Sequence, residues 1–202
     1  MTIDLLAAGL FTLAAIMLLG SPGPGIAALV AVGRRQGFTR GLRFYGGLQV
    51  GLALAAGVSA AGLFSALHAV PFAARAMTII AAAYLFFLAV QIATARVGAS
   101  MESSGVGFAE TAFGGFLLGV SNPKAYLAFM SLMASSSLIR FDASADAALK
   151  WTICVMVMIV VDILWLWLGV LIRKAALSPI AERALNIAMG LAIAVAAALS
   201  FV

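Results

Sequence analysis

The residue of this chain with the most demanding chemistry is a carboxylate in the middle of "MIVVDILWLWLGV". Asp162 lies ten or more residues from either end of its apolar run, and its side chain is too short to reach an interface. A carboxylate isolated in apolar surroundings must be protonated, paired or wetted. Asp162 is therefore a candidate proton carrier or a partner for an ammonium group on a ligand. A structural pair with Lys124 is the plain alternative. Lys124 follows a proline in "GVSNPKAYLAF", about a dozen residues into another apolar run. A lysine at that depth costs roughly 2.5–3.5 kcal/mol on insertion scales, and marks either a functional position or a stem that snorkels to the edge.

Two short breaks accompany these charges. One is Ser21-Pro22-Gly23-Pro24-Gly25 in "LLGSPGPGIAALV", and the other is Asn122-Pro123-Lys124. A proline inside a helix removes a hydrogen bond and crowds the preceding turn, costing about 3 kcal/mol in water. In lipid such a break survives only where protein or a watery cavity satisfies the freed groups. Proline also suits the first turn of a new helix. The amides of Gly25, Ile26 and Ala27 after Pro24, and of Lys124, Ala125 and Tyr126 after Pro123, are thus expected to lack intrahelical acceptors. That would make two partly positive helix starts suited to an anion such as a carboxylate. Gly23 and Gly25 let a ligand approach the backbone closely. Ser21, Asn122 and Gln49 add neutral hydrogen-bonding groups, although Gln49 equally suits a bond to a neighbouring helix.

The elements that position these residues follow from composition. The chain has 202 residues, 65% hydrophobic and 9% charged, with a mean hydropathy of +1.18. A soluble domain carries about 25% charged residues, so this chain cannot face water all round. The expected class is an all-α polytopic membrane protein, since the alternating segments of about ten residues that build a barrel are absent. Six spans are read at roughly 4–33, 41–67, 72–95, 109–139, 147–172 and 180–202. A span needs about 20 apolar residues. The first segment begins with an acidic rather than a basic stretch and outlasts a signal-peptide core, so it is expected to be retained.

The connecting stretches, taken with the flanking ends of the spans, hold eight basic residues in loops one, three and five (Arg34, Arg35, Arg40, Arg43, Arg96, Arg173, Lys174 and Arg183) against three in loops two and four (Arg75, Arg140 and Lys150). This bias places the former loops in the cytoplasm and both termini outside. Three spans per half is an odd number, so the second half enters the membrane upside down. The whole chain is read as one transmembrane domain of two inverted repeats, about 1–100 and 105–202, whose first spans are each broken at a proline. Broken helices in corresponding spans of inverted halves point to a transporter's binding site near the midplane. Gly47-xxx-Gly51 and Gly115-xxx-Gly119 permit close helix contact, either within the chain or between subunits, the latter making a homodimer.

Other function classes fail by inventory. The basic residues sit in short connections, which disfavours nucleic-acid binding. Metal sites need clustered His, Cys or carboxylate ligands, and the central parts of the spans offer one Asp and one Cys, so neither metal nor other cofactor is expected. A serine nucleophile needs a base within reach, yet the single His68 sits at a membrane edge. Cys154 is alone, which excludes an internal disulfide and leaves it a packing residue. Trp165 and Trp167 suit interfacial or packing positions rather than stacking on a ligand.

Together "SPGPG", "GRRQGFTRGLRFYGGLQVG", "GVSNPKAYLAFMSL" and "VDILWLWLG" resemble the lysine exporter superfamily, most closely its amino-acid exporters of the LysE/RhtB type. The resemblance runs over essentially the whole chain. It implies a bacterial inner-membrane exporter of amino acids or related small polar solutes, working by proton exchange; the paired breaks suggest alternating access around them. It carries over to Pro22, Gly23 and Pro24, to Asn122, Pro123 and Lys124, and to Asp162. The chain departs from the family pattern at Gly25, where the resemblance implies asparagine after the second proline. An ion channel or a cation exporter of the same superfamily, with Asp162 and the carbonyls of the breaks coordinating an ion, is the alternative.

Overall fold

Wherever the chain places a proline or a short polar side chain ahead of an apolar run, a helix begins. The structure, a computed structural model, describes residues 3–62, 71–94, 110–175 and 178–199. Helix α1 (Leu5–Gly20) is capped by Asp4, whose carboxylate accepts the Ala7 amide at 3.0 Å. Helix α2 (Pro24–Ala60) has proline at its first position. Then follow α3 (Pro71–Ala93), α4 (Ala112–Val120, capped by Thr111), α5 (Pro123–Met133, capped by Asn122), α6 (Ala143–Lys174, capped by Asp142) and α7 (Pro179–Leu199). The only β pairing among the described residues is an isolated bridge between Ile3 and Ile139. The fold is all-helical. By length and composition α6 can cross a bilayer alone, and α1 with α2 can do so as a pair bent by 63°. His68 and residues 95–109 of the expected third loop lie outside the described residues.

The expected first loop, "GRRQGFTRGLR", is not a loop. It is helical on both sides of one residue, Gly37, with φ 76° and ψ −179°. A single glycine reverses the chain because a positive φ costs it nothing. A β-carbon there would also stand 3.1 Å from the Arg173 guanidinium.

Glycines set the closest helix contacts. A β-carbon on Gly47 would lie 1.8 Å from the Ala112 carbonyl oxygen, and one on Gly51 would lie 2.4 Å from that of Phe116. Reciprocally, one on Gly115 would lie 2.2 Å from the Phe44 oxygen. The two small-residue stripes therefore pack α2 on α4 within the chain, by the backbone approach that small residues allow. Gly33 and Gly169 join α2 to α6 in the same way. Leu29, Phe44, Leu48, Leu118, Phe129 and Leu166 fill the core between these helices.

Charged groups gather at the two ends. At one end Lys150, expected in a connecting loop, is only 2% exposed. Its ammonium meets Asp146 at 3.0 Å and donates to the Met133 and Ser135 carbonyls that end α5. Asp146 also accepts the amides of Leu138 and Ile139. The i,i+4 spacing of acid and base supports the pair. At the opposite end Arg34, also expected in a loop, is 5% exposed and bonds Asn186 of α7. Beside it Arg35 pairs with Glu110, to which Gln36 donates at 2.9 Å.

Asp146→Ala should lower stability at neutral pH by about 3 kcal/mol, because it strands Lys150 in the interior. The thermal midpoint of the purified variant beside that of the wild type checks it.

Candidate functional site

Two breaks a hundred residues apart in sequence meet at one place. α1 ends at Gly20 and α2 starts at Pro24, so Ser21, Pro22 and Gly23 cross the gap in extended backbone or bend. α4 ends at Val120 and α5 starts at Pro123. Lys124, the second residue of α5, sends its ammonium to the carbonyl oxygens of Ser21 and, at 3.2 Å, of Pro22. Its positive charge thereby meets the negative end of α1. The stem passes Gly23 so closely that a β-carbon there would stand 2.7 Å from the lysine Cδ. Ser21 turns its hydroxyl back to the Leu18 carbonyl at 2.8 Å.

The helix starts are less open than expected. The Ala27 amide donates to the Gly23 carbonyl at 2.9 Å, while those of Ala125 and Tyr126 donate to Asn122. The reason is local: the cap residue's own carbonyl, and the Asn122 side chain, already accept the first intrahelical bonds. The amides of Gly25 and Ile26 at α2, and of Lys124 at α5, have no acceptor among the described residues. Both starts remain partly positive, with two free donors on one and one on the other.

Asp162 approaches from α6. It is 5% exposed, and its Oδ2 accepts a hydrogen bond from Gln49 Nε2 of α2 at 2.7 Å. The Gln49 Oε1 is buried with no partner among the described residues. No ion pair joins Lys124 to Asp162 among the described residues. Both instead line one cavity, with Ser21, Gly23, Gly25 and Asn122 on the side of the breaks. The free volume is about 40 Å³, room for roughly three waters. At Gly25 an added β-carbon would meet Asn122 at 3.7 Å and Leu48 at 3.9 Å, ordinary contacts that leave space toward the cavity.

Of the residues singled out in the sequence, Ser21, Gly23, Gly25, Asn122, Lys124 and Asp162 line this cavity directly. Pro22 joins through its carbonyl and Gln49 through Asp162, while Pro24 and Pro123 start the two helices. Sequence reasoning missed the apolar wall formed by Leu48, Leu52 and Met158. Helical spacing carried the signal, because Leu48 and Leu52 are one turn apart, as are Met158 and Asp162. The buried Arg34–Asn186 bond was missed too. Trp165 packs against the core and Trp167 is exposed, while Cys154 is fully buried.

The arrangement offers an anion-attracting group, made of an ammonium and free amides, and a carboxylate on the wall of the same small cavity. The family model described as LysE type translocator matches residues 16–201. No curated protein and no solved structure matches the chain.

Proposed function

Since the chain belongs to the LysE type translocator family, we propose that it exports amino acids or related small polar metabolites across the bacterial inner membrane in exchange for protons. The observation that carries this reading is the meeting of the two breaks through Lys124, opposite Asp162 in one cavity. A zwitterion has a carboxylate for the first side and an ammonium for the second.

The exchange follows from the cost of a buried charge. Asp162 satisfied by a proton is neutral, and Asp162 satisfied by a substrate ammonium is paired. Asp162 with neither is an uncompensated carboxylate in an apolar wall, which is expensive. A carrier that reorients in the first two conditions and not in the third exchanges substrate for proton. The unpartnered Gln49 Oε1 fits this cycle. Turning the amide over lets a protonated Asp162 donate to it, and turning it back restores the bond from Nε2 to the carboxylate. Lys124 on the α1 carbonyls closes the other side when no substrate is bound, and releases them to meet a carboxylate.

Six spans in two inverted repeats suit the same reading. Each proposed repeat opens with a helix, a break and a proline-started helix. α4 of the second lies on α2 of the first, while α1 of the first lies on α6 of the second, where Gly20 touches Val161. α3 and α7 pair as the third spans, Gly190 lying against Ala89 and Ala93. Large apolar side chains of α1, including Leu5, Leu6, Leu10 and Met17, stand exposed as a bilayer-facing surface would. The basic end at Gly37 faces the cytoplasm and the termini face outward.

The test is flux. Proteoliposomes loaded with a mixture of the twenty amino acids and given a pH gradient should lose at least one of them faster than protein-free vesicles. Collapsing the gradient should slow that loss. No gradient-dependent loss of any amino acid overturns the reading.

A further inference from the structure

We infer that the exported amino acid carries no charge on its side chain. This rests on the amino-acid export reading and narrows it. Among the described residues Lys124 and Asp162 are the only charged ones that line the cavity, and a zwitterion's own carboxylate and ammonium engage both. The rest of the wall that a side chain would meet is apolar, chiefly Ile26, Leu48, Leu52, Ala128 and Met158. Ser21 and Asn122 are the neutral polar exceptions, and each already holds a bond at a helix end.

The other buried charges among the described residues cannot serve a third charge on the substrate. Arg34 is held by Asn186, Glu110 by Arg35 and Gln36, and Asp146 by Lys150. None of them lines the cavity. A side-chain ammonium or carboxylate would therefore enter an apolar wall without a partner, which binding cannot offset. The discrimination is sharp because it turns on an unpaired buried charge rather than on one methylene of size.

Norleucine and lysine test this directly, since lysine is norleucine carrying one ammonium at the end of its chain. Wild-type protein in proteoliposomes under a fixed pH gradient should export norleucine and methionine at least about a hundredfold faster than lysine or glutamate at equal low concentration. Lysine or glutamate moving within about tenfold of norleucine overturns the inference and leaves amino-acid export standing. No gradient-driven movement of norleucine or methionine, with lysine moving, overturns it in the same way. No movement of any amino acid overturns both readings together.

Discussion

Asp162→Asn is expected to abolish pH-gradient-driven efflux while leaving the fold intact. Asparagine matches aspartate in size, and its carbonyl can still accept the 2.7 Å bond that Gln49 Nε2 gives to Oδ2. The amide cannot gain or lose a proton, and it offers no charge to an ammonium group. The variant is fixed in the neutral condition, so the carrier can still reorient but neither returns a proton nor pairs with a substrate ammonium. Gradient-driven efflux should fall by at least about a hundredfold, in the range associated with removing a positioned proton-transfer group. Thermal stability should be unchanged or slightly raised, because exchanging a buried ionisable group for a neutral one of equal volume removes a desolvation cost. Efflux that stays coupled to the gradient in this variant would remove Asp162 from the mechanism.

The largest structural effect is expected at one of two adjacent glycines. Gly46→Ala and Gly47→Ala add the same methyl to neighbouring positions of α2. At Gly46 the new β-carbon meets nothing within 4 Å, whereas at Gly47 it lies 1.8 Å from the Ala112 carbonyl oxygen. The atom it strikes is backbone and cannot rotate aside, so α2 and α4 must separate. Gly47→Ala should cost about 3 kcal/mol or more and should reduce the yield of monodisperse protein. Gly46→Ala should gain roughly 0.5–1 kcal/mol from alanine's better helix propensity. Expression yield and thermal midpoint of the pair, measured side by side, decide it. Equal behaviour would mean that α2 and α4 do not approach through these glycines.

Much of the molecule was legible because local chemistry decides it. Pro24 and Pro123 began helices because proline's fixed φ and missing donor suit a first turn. Asn122 and Asp142 capped helices because short polar side chains accept orphan amides. Asp162 stood out because a carboxylate in the middle of an apolar run must be protonated, paired or wetted, and the structure puts it on the wall of the cavity beside the breaks. The Gly47 and Gly115 stripes announced a close contact, though not its partner.

Family membership, the helical class, the two breaks and the ionisable residues at depth were thus set by the sequence on its own, through composition, caps and prolines. Tertiary structure alone decided which of these groups meet. Lys124 reaches carbonyls 103 residues away and Gln49 reaches a carboxylate 113 residues away. It also decided that Arg34 and Lys150 are buried and that the first loop shrinks to Gly37. The reason is physical. In water one face of a helix is polar, and the pattern tells which side packs inward. These helices are apolar nearly all round, so their sequence carries no such direction. Orientation is settled only by where glycines let backbones touch and where buried polar groups find one another.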